Sequence, residues 1–406
     1  MKRSILKYCL TFIGLIGMFF LFALVSCWLP DRRIKEHVTE IAPVMQECGN
    51  YPMAIIQKES ARQDNFTDAL ILNQQLCIDR KFPLKSAMSA YRCEYSPRYD
   101  MTSALLKLSQ QEEGGTMVAY PRYWHGNTFL FRVMLLFVDY QTLQWMMFAV
   151  SSLLLFLFLL SYQVRAGIWK AMAFLLSWLL VYGFVTQFSM QFFPVTVLML
   201  IASILVVRHA EDHAYLKMLF FVMACLTCYF DLLTTPLLTL GWPLLVWVSL
   251  QNTDSLRLQD SLFPIVGWGF LWGVGYALTF LSKWLISSAI INMNVLKDAS
   301  ESTVYRMGVN AFSRWDAIVQ NVQMVPWTMV FIVLLVLGAY SIVRFHAKGG
   351  LKTLLLLAVS LLPYVWYLLV ANHSFLHYWF TYRLQAITIA ALFLMVLSMR
   401  REPAGG

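Results

Sequence analysis

Apolar residues in this chain fall into long runs divided by short polar turns, with one large exception. The first run, Leu10–Leu29, is followed between Pro30 and Gly126 by a segment rich in charge, Tyr, Asn and Gln. From Gln144 to Ser398 one apolar run then succeeds another. Runs of about 18–25 residues are what a hydrocarbon slab about 30 Å thick requires of a helix. Backbone groups in lipid must be satisfied within the segment, and the runs lack the alternation of barrel strands, so each is predicted to be helical. The pattern predicts about ten spans, at roughly 9–29, 142–161, 168–186, 191–207, 216–232, 234–250, 263–283, 325–344, 352–371 and 384–399. The apolar stretch 129–141 is too short to span, and Arg132 interrupts it; it is expected to lie in the interface or to re-enter.

The expected fold class is therefore an all-α integral membrane protein. Its parts are a first transmembrane helix at 1–29, an extracytoplasmic cap at 30–128 and a multi-spanning domain at 129–406, with a second outer loop at about 284–324. The cap reads as folded. Ile34, Val38, Ile41, Ala42 and Met45 recur at helical spacing, as do Phe66, Ala69, Leu70 and Leu72. Pro52, Pro83 and the Gly114–Gly115 pair punctuate it.

Composition agrees: the chain is 59% hydrophobic and 13% charged, more apolar surface than one or two soluble cores can hide. Charge sets the expected orientation. With the N-terminus inside, the inner segments carry Lys2, Arg3 and Lys7; Arg165 and Lys170; Arg208 and Lys217; Arg257; Arg344, Lys348 and Lys352; and Arg400 with Arg401. The short outer turns near 187–190 and 233 carry none. Both termini are expected in the cytoplasm, and the protein in a bacterial cytoplasmic membrane. The net charge of +9 is accounted for by this topology and calls for no nucleic-acid partner.

Leu24-Val25-Ser26-Cys27 resembles a lipoprotein cleavage box, but the preceding run has the length of an uncleaved span. Cys225 and Cys228 have C-x-x-C spacing inside an apolar helix, where packing is the better reading than metal ligation. Cys48, Cys77 and Cys93 share the cap, where a disulfide is open to any pair of them.

Four constellations carry chemistry, all on the expected outer face. In Asp64-Asn-Phe-Thr-Asp68 two carboxylates project from one helix face, a spacing for a general base with a supporting acid or for a shared divalent metal; Asp64 also reads as an ordinary N-cap. Tyr120-Pro-Arg-Tyr-Trp-His-Gly126 combines an interfacial aromatic belt with Arg122 and His125, donors for an anion at headgroup depth. Asn372–Arg383 holds His373 and His377 at i, i+4, Trp379, two tyrosines, and Arg383 at the head of the last span, where a charge demands a partner. Tyr229–Pro236 places Asp231 at a span end, as a functional acid or as a cap for the next helix. Carboxylates activate hydroxyls, arginines bind phosphates, and aromatic rings pack on sugars.

This layout resembles the GT-C superfamily of membrane glycosyltransferases: a long acidic first outer loop, ten or so spans, and outer turns rich in His and Arg. The resemblance covers most of the chain through its architecture; the local motifs also look similar to those of other bacterial multi-spanning proteins. It implies transfer of a sugar from a polyprenyl-phosphate donor to a glycan, polymer or protein acceptor. Asp68 or Asp64 is then the base. Arg122, His125, His373, His377 and Arg383, with Asp231 near them, face the phosphate, and Trp124 or Trp379 packs on sugar or isoprenoid. Asp31, just after the first span, departs from the family pattern because Arg32 and Arg33 follow it and lower its basicity. The rival expectations are a transporter or flippase for lipid-linked or polar solutes, and a non-catalytic partner in a polysaccharide-assembly complex.

Overall fold

The computed structural model describes residues 2–96, 100–252, 257–309, 312–342 and 350–399. Arg344, Lys348, Arg400 and Arg401 lie outside the described residues. Among the described residues the regular structure is helical apart from a two-stranded antiparallel pair, Arg92–Glu94 with Thr116–Val118. Among the described residues, six helices are long and apolar enough to cross a membrane: Ile5–Trp28, Tyr140–Ala166, His213–Phe230, Leu258–Ile291, Gly350–Leu369 and Tyr378–Ser398. A seventh span results if Arg314–Gln323 and Trp327–Ser341, bent by 67°, are taken as one broken helix.

Three of the predicted runs form shorter apolar helices, Ile168–Leu180, Phe193–Arg208 and Leu238–Leu250. The reasons are local. The first stops where Tyr182 turns left-handed at φ 52°. The second begins at Phe193 with Pro194 in its first turn, where the missing N–H of proline has no helical partner to lose. The third waits until the turn after Asp231 is complete. At about 1.5 Å per residue, 13–16 residues reach about 20–24 Å.

Burial separates central helices from peripheral ones. Leu238–Leu250 is buried along almost its whole length, and in Gln385–Ser398 Ala386, Ile387, Ile389, Ala390, Phe393 and Leu394 are all inaccessible. The first helix instead exposes Ile5, Leu6, Leu10 and Ile13 along its outer side. Close approach is made by small residues. A Cβ on Gly275 would meet the Phe221 carbonyl at 2.8 Å, so glycine lets Leu258–Ile291 pack against His213–Phe230.

The polar segment after the first helix folds as two helices at the predicted positions, Arg32–Cys48 and Asn65–Leu76, followed by Pro83–Ser89 and then the strand pair with Met101–Ser109 between its two strands. Ile34, Val38, Ala42 and Met45 form the buried stripe of Arg32–Cys48. Its core is continuous with Phe131, Leu135, Leu143 and Met147 of the helices that follow.

Buried charged and polar side chains stitch this segment to the apolar helices. Asp68 accepts from Tyr140 Oη (2.8 Å), Ser189 Oγ (3.0 Å) and the Met190 amide (3.1 Å). Arg132, expected near headgroups, is fully buried and donates to the Gln75 and Leu29 carbonyls, both at 3.2 Å. Lys283 donates to the Met88 carbonyl at 3.2 Å. Arg383 donates to the carbonyls of Ser60 (3.3 Å) and Arg62 (3.2 Å). All seven cysteines are free thiols, Cys48 exposed and Cys77 and Cys93 buried.

Removing Asp68 leaves three buried donors without their acceptor, at about 1–3 kcal/mol for each. The Asp68→Ala protein is expected to melt well below wild type in detergent, and Asp68→Asn, which keeps one acceptor oxygen, between the two. An Asp68→Ala melt equal to wild type would contradict this anchoring role.

Candidate functional site

Where the polar segment meets the helix ends, a cavity of about 320 Å³ opens. Its walls come from segments far apart in sequence: Tyr51, Asp64, Phe66 and Thr67; Arg92; Tyr120, Arg122 and Tyr123; Gln191; Ser302, Tyr305 and Arg306; and Asn372, His373, His377, Trp379 and Phe380. A second cavity, about 290 Å³, adjoins it and shares Arg122, Tyr123 and Arg306. The remainder of its wall is mostly apolar, including Leu233, Tyr276, Phe280, Trp284, Ala299, Trp366 and Val370.

Of the residues singled out in sequence, Asp64, Arg122, His373, His377 and Trp379 line the first cavity together. Asp64 is the N-cap of Asn65–Leu76: Oδ1 accepts the Thr67 amide at 3.0 Å and Oδ2 accepts Thr67 Oγ1 at 2.8 Å. Capping and cavity-facing roles coexist, because each carboxylate oxygen has a second lone pair. Burial pushes the Asp64 pKa up to about 6, against the lowering effect of the Thr67 bonds and the Arg383 charge.

His373 Nε2 lies 2.6 Å from the Leu233 carbonyl, so that nitrogen carries the proton and Nδ1 is left as an acceptor. Its ring is 4.8 Å from that of His377. Burial first, then neighbouring positive charge, lowers both: His373 falls well below its ordinary value and His377 to about 4. Both are neutral near pH ~7. Arg122 donates to both oxygens of Asp298 (2.9 and 3.0 Å) while its buried Nε has no partner.

The structure places the other candidates elsewhere. Asp68, one turn along from Asp64, is directed to Tyr140, Ser189 and Met190 and is not part of the cavity wall. Burial raises its pKa to about 7. The two carboxylates therefore do not share a ligand-facing surface, and among the described residues no three His, Cys, Asp or Glu side chains group as a metal-binding set. Trp124 is buried in the helix core, its Nε1 donating to the Thr279 carbonyl at 2.8 Å. His125 occupies a left-handed position at φ 55° and fixes the Tyr120–Gly126 turn through the Tyr120 carbonyl at 2.8 Å. Gly126 after it is obligatory, since a Cβ there would meet the Tyr229 ring at 2.4 Å.

Asp231 caps its turn by accepting from the Thr234 amide at 2.9 Å and from Thr234 Oγ1. That turn presents Leu232 to the first cavity and Leu233 to the second. Arg383 is not in the wall; it lies beside Asp64, with Nε and Nη1 buried and unpartnered. Asp31 is lowered as expected, but by Lys35 at 2.6 Å and not by Arg32, which pairs with Glu36.

Sequence reasoning missed Arg92, Arg306 and Gln191. Arg92 and Arg122 stack on the Tyr120 ring at 4.8 and 4.9 Å, and Arg306 on Tyr123 at 5.4 Å. The only local signal for Arg306 was the charge of the second loop. Compared with family models, curated proteins and solved structures, the chain matches none.

Folded Asp64 holds its proton to about 6, whereas an unfolded aspartate releases it near ~3.9. The folded state thus binds more protons over that interval, and this residue's contribution to stability falls as pH rises through it. Asp64→Asn is expected to flatten part of that decline in a series of thermal melts from about pH 3.5 to about pH 6.5, with Asp68 keeping its own share. An unchanged profile would contradict an ionisable, buried Asp64.

Proposed function

We propose that the protein is an integral-membrane glycosyltransferase of GT-C type, moving a sugar from a polyprenyl-phosphate donor to a cell-envelope acceptor. The observation that carries this reading is the junction of a polar and an apolar cavity at Arg122, Tyr123 and Arg306. An amphipathic phosphate fits such a junction: anionic head among guanidinium groups, hydrocarbon in the adjoining apolar space.

In this reading the six long helices belong to a bundle of ten spans, with the three short helices and the bent pair completing the count. Both termini are cytoplasmic, the segment 30–128 is an extracytoplasmic cap, and the membrane is the bacterial cytoplasmic one.

Asp64 replaces Asp68 as the preferred base because it alone of the two faces the cavity. Its carboxylate accepts the proton of an acceptor hydroxyl, whose oxygen bonds to the anomeric carbon. The bond from that carbon to the phosphate oxygen breaks, and the lipid phosphate leaves with the electron pair. Arg122 and Arg306 stabilise the charge that grows on it, and neutral His377 is placed to donate an N–H to it. Asp68 positions the helix that carries Asp64.

Purified protein incubated with polyprenyl-phosphate sugars and candidate acceptors tests the proposal. Asp64→Asn is expected to lower kcat by about 10²-fold or more, while Arg306→Ala raises KM for the lipid by about 10-fold or more. Wild-type kcat should rise with pH through a limb centred near Asp64's value of about 6, and Asp64→Asn should lack that limb. Full activity in Asp64→Asn would overturn the assignment of the base. Counterflow of substrate in proteoliposomes without covalent product would favour a transporter or flippase instead.

A further inference from the structure

The polar cavity has two chemically different ends. One gathers the arginines: Arg92 and Arg122 on Tyr120, and Arg306 on Tyr123, with the tyrosine rings 5.5 Å apart. The other gathers Tyr51, Trp379, Asp64 and Gln191. The Tyr51 and Trp379 rings meet at 5.1 Å and 64°, forming a corner. Gln191 is 3% exposed, lines the cavity, and its Oε1 has no hydrogen-bond partner. It follows Met190, whose amide bonds Asp68 one turn from Asp64, and precedes Phe192, which packs on Phe380 beside Trp379 at 5.8 Å.

We infer that this second end is a seat for a neutral pyranose ring. The inference rests on the proposed transfer function for its biological meaning, but the binding it asserts can be read separately. Three physical features support it. The atoms offered to a ligand, Gln191 Oε1 and the free lone pairs of Asp64, are acceptors, and hydroxyl groups are the donors that satisfy them. The Tyr51 and Trp379 rings line the cavity and offer apolar surface to the flat C–H face of a sugar, with the Arg62 guanidinium over both rings at 5.8 and 5.6 Å. Neither cation near this end is part of the cavity wall: Arg62 pairs with Glu59 at 2.6 Å, and Arg383 is buried behind it near Asp64. A uronic acid would meet the Asp64 carboxylate, and an aminosugar cation packed on Tyr51 and Trp379 would meet the Arg62 guanidinium over those rings, so a neutral hexose is favoured over both.

The ring could be that of the lipid-linked donor or that of an acceptor saccharide; both present the same chemistry. The test uses full-length protein in nanodiscs and intrinsic tryptophan fluorescence. The probes are methyl hexosides, a methyl hexuronoside, a methyl aminohexoside, decyl phosphate and decyl-phosphoryl hexoses. At least one neutral hexoside is expected to give a saturable change, with the charged analogues weaker. Gln191→Leu should weaken it by about 10-fold or more. Tyr51→Ala, at the exposed rim where the core is not disturbed, should weaken it as well. Arg306→Ala should leave hexoside binding unchanged and lose decyl phosphate.

Hexoside affinity that is unaffected by saturating decyl phosphate but abolished by decyl-phosphoryl hexose assigns the seat to the donor sugar. Simultaneous binding of hexoside and decyl-phosphoryl hexose assigns it to the acceptor. No saturable change with any hexoside overturns the inference, as does wild-type affinity in both Tyr51→Ala and a folded Gln191→Leu. Hexoside binding without transfer would leave this seat standing and remove only the catalytic reading.

Discussion

Buried charges that reach across the boundary between a polar segment and apolar helices hold this structure together. Asp68, Arg132, Lys283 and Arg383 are each almost inaccessible, and each bonds a partner on the other side of that boundary, Arg132 through the Gln75 carbonyl. An isolated charge in such surroundings is strongly unfavourable, so these groups tolerate burial only while the segment and the helices stay docked. The consequence is specific placement. Asp68 and Arg383 fix the two ends of the strip 60–68, and Asp64 between them is held at the cavity wall.

The cavity inherits its character from this docking. No single element supplies it: the capping carboxylate comes from the polar segment, Arg306 from Val295–Met307, and the histidine pair from the turn before the last helix. Arg122 is central because it borders both cavities and is oriented by Asp298 from the second loop. His373 links the same region to the Asp231 turn through the Leu233 carbonyl, which sits on a left-handed residue at φ 70°. At the arginine end Arg92 pairs with Glu94 and Arg122 with Asp298, while Arg306 rests on the Tyr123 ring.

Much of this was legible in the chain. Apolar runs set by hydrocarbon thickness became helices, and the stripe Ile34, Val38, Ala42, Met45 became a buried face, because both patterns are local. Helix lengths were less legible, since Tyr182 and the Asp231 turn end helices within continuous apolar sequence. At the site, Asp64, Arg122, His373, His377 and Trp379 stood out by their unusual setting. Asp64 and Asp68 could not be ranked from spacing alone: one turn of helix separates a cavity wall from a sealed core. Trp124 and His125 share a motif with Arg122, yet the turn sends them into packing. Arg92, Arg306 and Gln191 acquire meaning only from contacts across long stretches of chain, which local pattern does not encode.

The central claim is that Arg122, Tyr123 and Arg306 mark the meeting point of a lipid's head and tail. The most direct measurement is an electron cryomicroscopy map of the protein in nanodiscs with a non-transferable polyprenyl phosphonate. The account predicts head-group density between Arg122 and Arg306, and continuous tail density against Phe280, Trp284 and Trp366. Phosphonate density at another place on the protein, with both cavities empty in a map that resolves their side chains, would contradict it.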